Sequence, residues 1–181
     1  MAPADQLTVA RALAAPVVVL LFSLDFTHHD YWATGTFCVA MATDWFDGRI
    51  ARRTGKTTSF GSLLDPVADK VLVLVTLVVL LDQGVFPAWM VAAIVAREIV
   101  ISGLRLAALE RGVVIAARDL GKLKTWSQAI AAAAGGIVAA GAWSERVSWW
   151  LLLVAVTMTW VSGLDYARSA PSVLRGRPAT S

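Results

Sequence analysis

The sequence predicts an all-α membrane protein with six transmembrane helices, and three observations support this. First, 57% of the 181 residues are hydrophobic, whereas soluble domains usually contain about 45–50% apolar residues. Second, the mean hydropathy of the chain is +0.66. Third, the chain contains several apolar runs of near 20 residues, the length that crosses about 30 Å of hydrocarbon.

The apolar runs place the six spans at residues 5–27, 31–53, 61–81, 86–111, 121–142 and 147–169. The connections between them are short, so residues 1–170 form one membrane domain. Residues 171–181 are basic and rich in Pro and Ser, and we expect a disordered cytoplasmic tail. The first apolar run has Asp5 ahead of it and no clear small-residue cleavage site behind it, which favours a retained helix over a signal peptide.

The distribution of basic residues predicts the orientation. Connections 24–31, 82–87 and 143–148 contain Arg146 as their one Lys or Arg, while the opposite side holds "RIARRTGK", "ERGVVIAARDLGKLK" and the tail. By the positive-inside rule, both termini are cytoplasmic and the protein lies in the cytoplasmic membrane. Because the basic residues flank spans and form no soluble patch, we expect no nucleic-acid partner. Tryptophans near the outer boundary are expected to form an interfacial belt: Trp32, Trp89, Trp143, Trp149 and Trp150.

Four aspartates mark the predicted cytoplasmic ends of the second and third helices. Asp44 and Asp47 are three residues apart, and Asp65 and Asp69 are four apart, so each pair shares one helix face. The segment between the pairs has turn character around Gly55. Two antiparallel helix ends would therefore bring the four carboxylates together.

Such a cluster of like charges near hydrocarbon requires compensation. Lys or Arg side chains are one solution. An all-oxygen ligand set at these spacings favours Mg²⁺ or Mn²⁺, and four carboxylates can hold two such ions about 3.5–4 Å apart. No paired His or Cys accompanies them, so zinc is not expected.

Small and basic residues accompany the aspartates. Gly48 and Gly61 lack a Cβ, so they allow a base or a phosphate to approach the backbone closely. The alternative is helix packing through small residues. Arg52 has the geometry to bind a pyrophosphate with two hydrogen bonds, or it is a positive-inside anchor.

The whole pattern is D-x2-D-G-x2-A-R-x8-G-x3-D-x3-D, and it resembles the signature of the CDP-alcohol phosphatidyltransferase family. This resemblance covers most of the chain, since the family core is also six membrane helices. It implies transfer of a phosphatidyl group from CDP-diacylglycerol to an alcohol with release of CMP, and it implies a homodimer. It also implies that Asp44, Asp47 and Asp65 bind metal and that Asp69 binds metal and acts as general base. The CDP pocket would be lined by Gly48, Ala51, Arg52, Thr58 and Gly61.

The N-terminal "LTVAR" also resembles the start of the family's first helix and makes Thr8 a candidate polar contact to the CDP-lipid. The family usually has Pro-Asn ahead of it, whereas Asp5 stands at the Asn position here. An anion near the nucleotide puts that contact in doubt. Asp5 is a suitable N-cap for the first helix.

A second stretch, residues 96–125, is similar to the bacterial members of the family whose acceptor is sn-glycerol 3-phosphate, especially in "REIVISGLR", "GVVIAA" and "LGKLKT". Arg97 lies deep enough in the fourth span to be costly unless paired or bound to an anion. Arg97, Arg105, Lys122 and Lys124 are therefore candidates for binding the acceptor phosphate. The alternative is that acidic neighbours pair with them: Glu98, Glu110 or Asp119.

Other functions remain open at this point. Phosphatidylglycerol as acceptor would give a cardiolipin synthase, and inositol phosphate would give a phosphatidylinositol-phosphate synthase. A cation transporter would use the aspartates as ion ligands, although such sites tend to lie near the membrane midplane. A non-catalytic scaffold would have little reason to keep these charges in costly places.

Overall fold

The structure is a computed structural model of the chain. It describes the backbone of residues 3–54, 59–110 and 119–174, and the side chains of residues 13–43, 70–104, 106–108 and 123–166. Thr58 lies outside the described residues. The side chains of most of the predicted site residues lie outside them as well, although their helices are described.

The described residues form six α-helices and no strand, which confirms the predicted all-α class. The helices are α1 Pro3–Ser23, α2 His29–Thr54, α3 Ser59–Asp82, α4 Ala88–Glu110, α5 Asp119–Ala139 and α6 Glu145–Leu174. Each corresponds to one predicted span. The largest difference is in α6, which continues past the predicted limit at position 169 to Leu174 and so includes the beginning of the predicted tail; residues 175–181 lie outside the described chain.

The first three helices, taken in chain order, alternate in direction, as one set of hydrogen bonds shows. Gln83 directly follows α3, and its side-chain amide donates to the carbonyl oxygen of Phe22 at 3.2 Å and to Asp30 Oδ1 at 3.3 Å. Since Asp30 lies in the first turn of α2, the start of α2 meets the end of α3. We call this end of the bundle the Gln83 end. Ala140, just after α5, lies beside residues 25–31 at the same end.

Two helices terminate at the Gln83 end through the same backbone motif. After α3, the amide of Gly84 donates to Leu81 O and that of Val85 to Leu80 O, both at 3.0 Å. After α5, Gly141 and Ala142 donate in the same pattern to Val138 and Ile137. Both glycines have φ of +76°, a conformation that costs glycine little because it has no Cβ.

Helix α5 is central to the packing because it contacts α2, α3 and α6. Between residues 129 and 136 its buried side chains are small, and Ala131 and Ala132 are fully buried among large apolar residues of the other helices. Close approach is tightest at two glycines: a Cβ on Gly135 would lie 2.5 Å from Phe86, and one on Gly136 would lie 2.1 Å from Thr34 Oγ1. Small residues at helix contacts are typical of proteins in lipid.

The outer surface of the described bundle is apolar. Large hydrophobic side chains such as Val39, Ile99 and Leu106 are 59–67% exposed. The five tryptophans predicted to form a belt are exposed as well, and all lie in the first turns of α2, α4 and α6 or just before α6. Within the described residues, Glu145–Tyr166 is one helical stretch long and apolar enough to cross a membrane by length and composition, and Leu13–Ser23 is a shorter apolar helix.

Replacing Gly136 by Ala is expected to destabilise the bundle. The new Cβ would meet Thr34 Oγ1 at 2.1 Å and both Thr34 Cβ and Cγ2 at 3.1 Å, so rotation of the Thr34 side chain cannot relieve the clash. Overpacking of this kind costs about 1–3 kcal/mol, which lowers Tm by roughly 2–12 °C for a chain of this size. Thermal unfolding in detergent is the measurement.

Gly35→Ala is the matched control, because nothing lies within 4 Å of a Cβ at this neighbouring position of α2. Its Tm should equal or slightly exceed that of the wild type, since Ala is the better helix residue. Equal Tm values for Gly136→Ala and the wild type would contradict the close packing of α5 on α2.

Candidate active site

The four aspartates lie at matching heights on α2 and α3. Asp30 of α2 and Gln83 after α3 are joined by a hydrogen bond, so distances along both helices can be measured from this contact. At about 1.5 Å of rise per residue, Asp44 and Asp69 each lie about 21 Å from the Gln83 end. The helix register therefore places Asp44 and Asp69 at one level of the bundle.

Asp47 and Asp65 also lie at similar heights, about one turn farther from the Gln83 end. By the same helix rise, Asp47 and Asp65 lie about 26 and 27 Å from the Gln83 end. The two helix ends are joined by a short connection, 55–58. The backbone thus carries the four residues at similar heights on two connected helices. The convergence of their carboxylates stays a prediction, because their side chains lie outside the described residues.

The backbones of the other predicted site residues are assigned to helices. Gly48, Ala51 and Arg52 lie in the last turns of α2, Gly61 in the first turn of α3 and Thr8 in α1. Arg105 lies in α4 and Lys122 in the first turn of α5. Nothing beyond the backbone is described at these positions. The contacts expected of these residues therefore remain predictions.

A buried cluster of charged side chains lies at about the level of Asp44 and Asp69 in the bundle. Glu98 of α4 is 3% exposed, and three cations from three helices converge on its carboxylate. Lys124 Nζ of α5 donates to Glu98 Oε1, Arg97 Nη1 of α4 donates to the same oxygen at 3.1 Å, and Lys70 Nζ of α3 lies 3.7 Å from Oε2. We call Lys70, Arg97, Glu98 and Lys124 the Glu98 cluster. By helix rise, Lys70 lies about 20 Å from the Gln83 end.

Hydroxyl and amide groups surround the Glu98 cluster. Lys70 Nζ donates to Ser102 Oγ at 2.6 Å, and Arg97 Nη2 donates to Ser162 Oγ of α6 at 2.6 Å. The Gln128 amide nitrogen lies 3.5 Å from Glu98 Oε1 and donates to Thr159 Oγ1 at 2.8 Å. These contacts satisfy polar atoms that burial would otherwise make costly.

Gly163 of α6 lies against the Arg97 side chain, next to this network. A Cβ on Gly163 of α6 would lie 2.8 Å from Arg97 Nε. The absence of a side chain at Gly163 therefore lets the Arg97 side chain approach the α6 backbone closely. Ser162 and Gly163 together determine where the guanidinium sits.

The Glu98 cluster has an excess of positive charge. Three cations and one carboxylate give these four side chains a net charge of two positive units. Arg97 and Lys124 are almost fully buried, while the Lys70 side chain is 31% exposed. Lys70 is therefore the most exposed cation of the cluster.

Comparison with known proteins identifies the family. A model of the CDP-alcohol phosphatidyltransferase family matches residues 1–161. This chain belongs to that family. Among similar proteins, one from Shigella flexneri serotype 5b (strain 8401) is 41% identical over 170 residues, covering 91% of this chain and 92% of the relative.

Two further relatives have the same protein name as the Shigella flexneri relative. The Escherichia coli (strain K12) protein is 40% identical over 170 residues, covering 91% of this chain and 92% of its own. The Bacillus subtilis (strain 168) protein is 45% identical over 134 residues, covering 72% of this chain and 68% of its own. All three are named CDP-diacylglycerol–glycerol-3-phosphate 3-phosphatidyltransferase. Membership of a transferase family disfavours the transporter and scaffold alternatives.

Within this transferase, the structure brings Arg97 and Lys124 together as predicted for an acceptor site, but it also pairs both with Glu98. Pairing with Glu98 was the alternative left open by the sequence. Lys70, Ser102, Gln128 and the α6 residues were not predicted. One signal was available for Lys70: it directly follows the last aspartate of the family signature.

Gly163→Ala is expected to displace Arg97 and lower Tm. The added methyl group would force the guanidinium away from Ser162 and Glu98, at a cost of about 1–3 kcal/mol. Gly103→Ala is the control, because nothing lies within 4 Å of a Cβ there. In an Arg97→Ala background the cost of Gly163→Ala should largely disappear, and thermal unfolding of the four variants measures this coupling. A cost that persists in that background would contradict the assigned contact.

Proposed function

We propose that this protein transfers the phosphatidyl group of CDP-diacylglycerol to sn-glycerol 3-phosphate, giving phosphatidylglycerophosphate and CMP. The observation that supports this most directly is the position of the Glu98 cluster. Three of its four side chains are cationic, and one of them, Lys70, directly follows the catalytic candidate Asp69 in the sequence of α3. A phosphate-bearing acceptor fits this arrangement better than an uncharged alcohol. The names of the relatives agree with it.

The proposed membrane arrangement has all six helices spanning the bilayer and both termini in the cytoplasm. The apolar perimeter and the exposed tryptophans at the Gln83 end support it. The aspartates then open towards the inner leaflet of the bacterial cytoplasmic membrane, where CDP-diacylglycerol and water-soluble glycerol 3-phosphate meet. The family resemblance supports a homodimer.

For the donor half of the site, we propose that Asp44, Asp47, Asp65 and Asp69 hold two divalent cations, Mg²⁺ or Mn²⁺. Carboxylate oxygens alone suit these hard ions, and the helix register puts the four residues within about one turn of a common level. When bound, such ions polarise a pyrophosphate and neutralise charge on the departing CMP. The CDP-lipid contacts are assigned to Thr8, Gly48, Ala51, Arg52, Thr58 and Gly61.

For the reaction itself, the glycerol 1-hydroxyl attacks the β-phosphorus that bears diacylglycerol. The bond from this phosphorus to the oxygen bridging the two phosphates breaks, and CMP leaves with that oxygen. Asp69 accepts the hydroxyl proton as the new P–O bond forms. Arg97, Arg105, Lys122 and Lys124 hold the acceptor phosphate, which keeps the hydroxyl near the β-phosphorus.

The first test is CMP release by purified protein in detergent with CDP-diacylglycerol and Mg²⁺. Glycerol 3-phosphate, phosphatidylglycerol, inositol phosphate and serine are offered separately. We expect release with glycerol 3-phosphate and little with the others. Release with phosphatidylglycerol or inositol phosphate instead would keep the family chemistry and overturn the proposed acceptor.

Asp69→Asn is expected to reduce CMP release by roughly 10²–10⁴-fold, the usual contribution of a general base. Removal of divalent ions with EDTA should abolish release, and added Mg²⁺ or Mn²⁺ should restore it. Asp82→Asn, a change at the Gln83 end of the same helix, is the matched control and should retain activity. Substantial activity of Asp69→Asn would exclude Asp69 as the base.

A further inference from the structure

Glu98 is a buried carboxylate with no role in the chemistry proposed above. It is 3% exposed, yet three cations converge on it. We propose that Glu98 is a positioning residue for the acceptor: it gathers Lys70, Arg97 and Lys124 into one phosphate-binding cluster beside Asp69. This inference rests on the proposed function and adds two residues, Glu98 and Lys70, to the acceptor site.

The first argument is the way in which the carboxylate connects the helices. Glu98 Oε1 receives the Lys124 ammonium and the Arg97 guanidinium, and Oε2 lies 3.7 Å from the Lys70 ammonium. The three cations come from α5, α4 and α3, so each belongs to a different helix. No local sequence preference can bring three helices together at one point, so the spacing of the cations depends on the common anion.

The second argument is electrostatic. Without Glu98, three like charges would remain close to one another, two of them buried. Removing one partner from a buried ion pair is strongly unfavourable because the remaining charge is uncompensated. The lysines would relax towards water, since their side chains are long and flexible. Arg97 would remain tied to Ser162 of α6.

The third argument is the place where the cluster opens. The Lys70 side chain is 31% exposed, compared with 9% for Lys124 and 7% for Arg97. Lys70 is therefore the side of the cluster that a solute can reach, and it is the next residue after Asp69 in α3. An acceptor phosphate held at Lys70 would place the rest of the molecule within reach of the catalytic candidate.

Two substitutions of Glu98 test the proposal. Glu98→Gln keeps the shape and removes the charge, while Glu98→Asp keeps the charge and withdraws the carboxylate by about 1.5 Å. We expect Glu98→Gln to raise KM for glycerol 3-phosphate by on the order of tenfold or more, because misplacing binding groups by about 1 Å is already costly. Glu98→Asp should show an intermediate increase. KM for CDP-diacylglycerol should change less than about twofold in both.

A structural control separates positioning from general loosening of the fold. Leu77→Ala removes a fully buried side chain of α3 about two turns from Lys70 and should lower Tm by an amount comparable to that of the Glu98 changes. It should leave the two KM values in their wild-type ratio. Glu145→Gln, an exposed carboxylate in the first turn of α6, controls for loss of an acidic residue in general.

Three outcomes would overturn the proposal. An unchanged KM for glycerol 3-phosphate in Glu98→Asp would show that the carboxylate position is unimportant, even if Glu98→Gln fails to fold. A lower KM in Glu98→Gln would make Glu98 a competitor of the phosphate. A proportional rise of both KM values, as a loosened fold would give, would leave only a structural role. If the wild type does not use glycerol 3-phosphate at all, the proposed function fails instead, which the acceptor panel shows independently.

Discussion

The attraction between one buried carboxylate and three cations is the interaction on which the described interior depends. Glu98 joins α3, α4 and α5, and Arg97 extends the connection to Ser162 of α6. Most other contacts between these helices are apolar and not directional. In lipid, apolar side chains gain little by leaving one hydrocarbon environment for another. The polar network therefore supplies much of the specificity with which these four helices are aligned.

The candidate site has two halves, which lie on different sets of helices. Asp44 and Asp47 lie in the second half of α2 and Asp65 and Asp69 in the first half of α3, and a short connection joins the two helices. The cations lie on α3, α4 and α5, held by interior contacts. Helix α3 belongs to both halves, with Asp69 and Lys70 adjacent in sequence. A rotation of α3 about its axis would therefore move Asp69 and Lys70 together.

Much of the fold was predictable because its signals are local. Hydropathy identified six helices, because each long apolar run corresponds to one helix. The predicted sixth span ends at position 169, whereas α6 continues to Leu174. Hydropathy measures the length of an apolar run, and the helix does not stop where the run does.

The cation cluster was only half predictable, also for a physical reason. The cost of burying Arg97 indicated that it needs a partner, but not which one. The sequence offered Glu98, Glu110 and Asp119 equally, and the choice depends on how α4 packs against its neighbours. Lys70 and Glu98 lie on different helices, so the participation of Lys70 follows from tertiary packing alone.

The close packing of α5 at Gly136 has a consequence for how distant parts of the molecule are coupled. Gly136 rests on Thr34 near the Gln83 end, and Lys124 lies earlier on the same helix, about 18 Å away. Most of the buried side chains of α5 between these two points are small, so its backbone directly links the contact at Gly136 to the position of the Lys124 ammonium. A displacement of α5 at Thr34 would therefore reach the Glu98 cluster, although the Gln83 end contains none of the proposed chemistry.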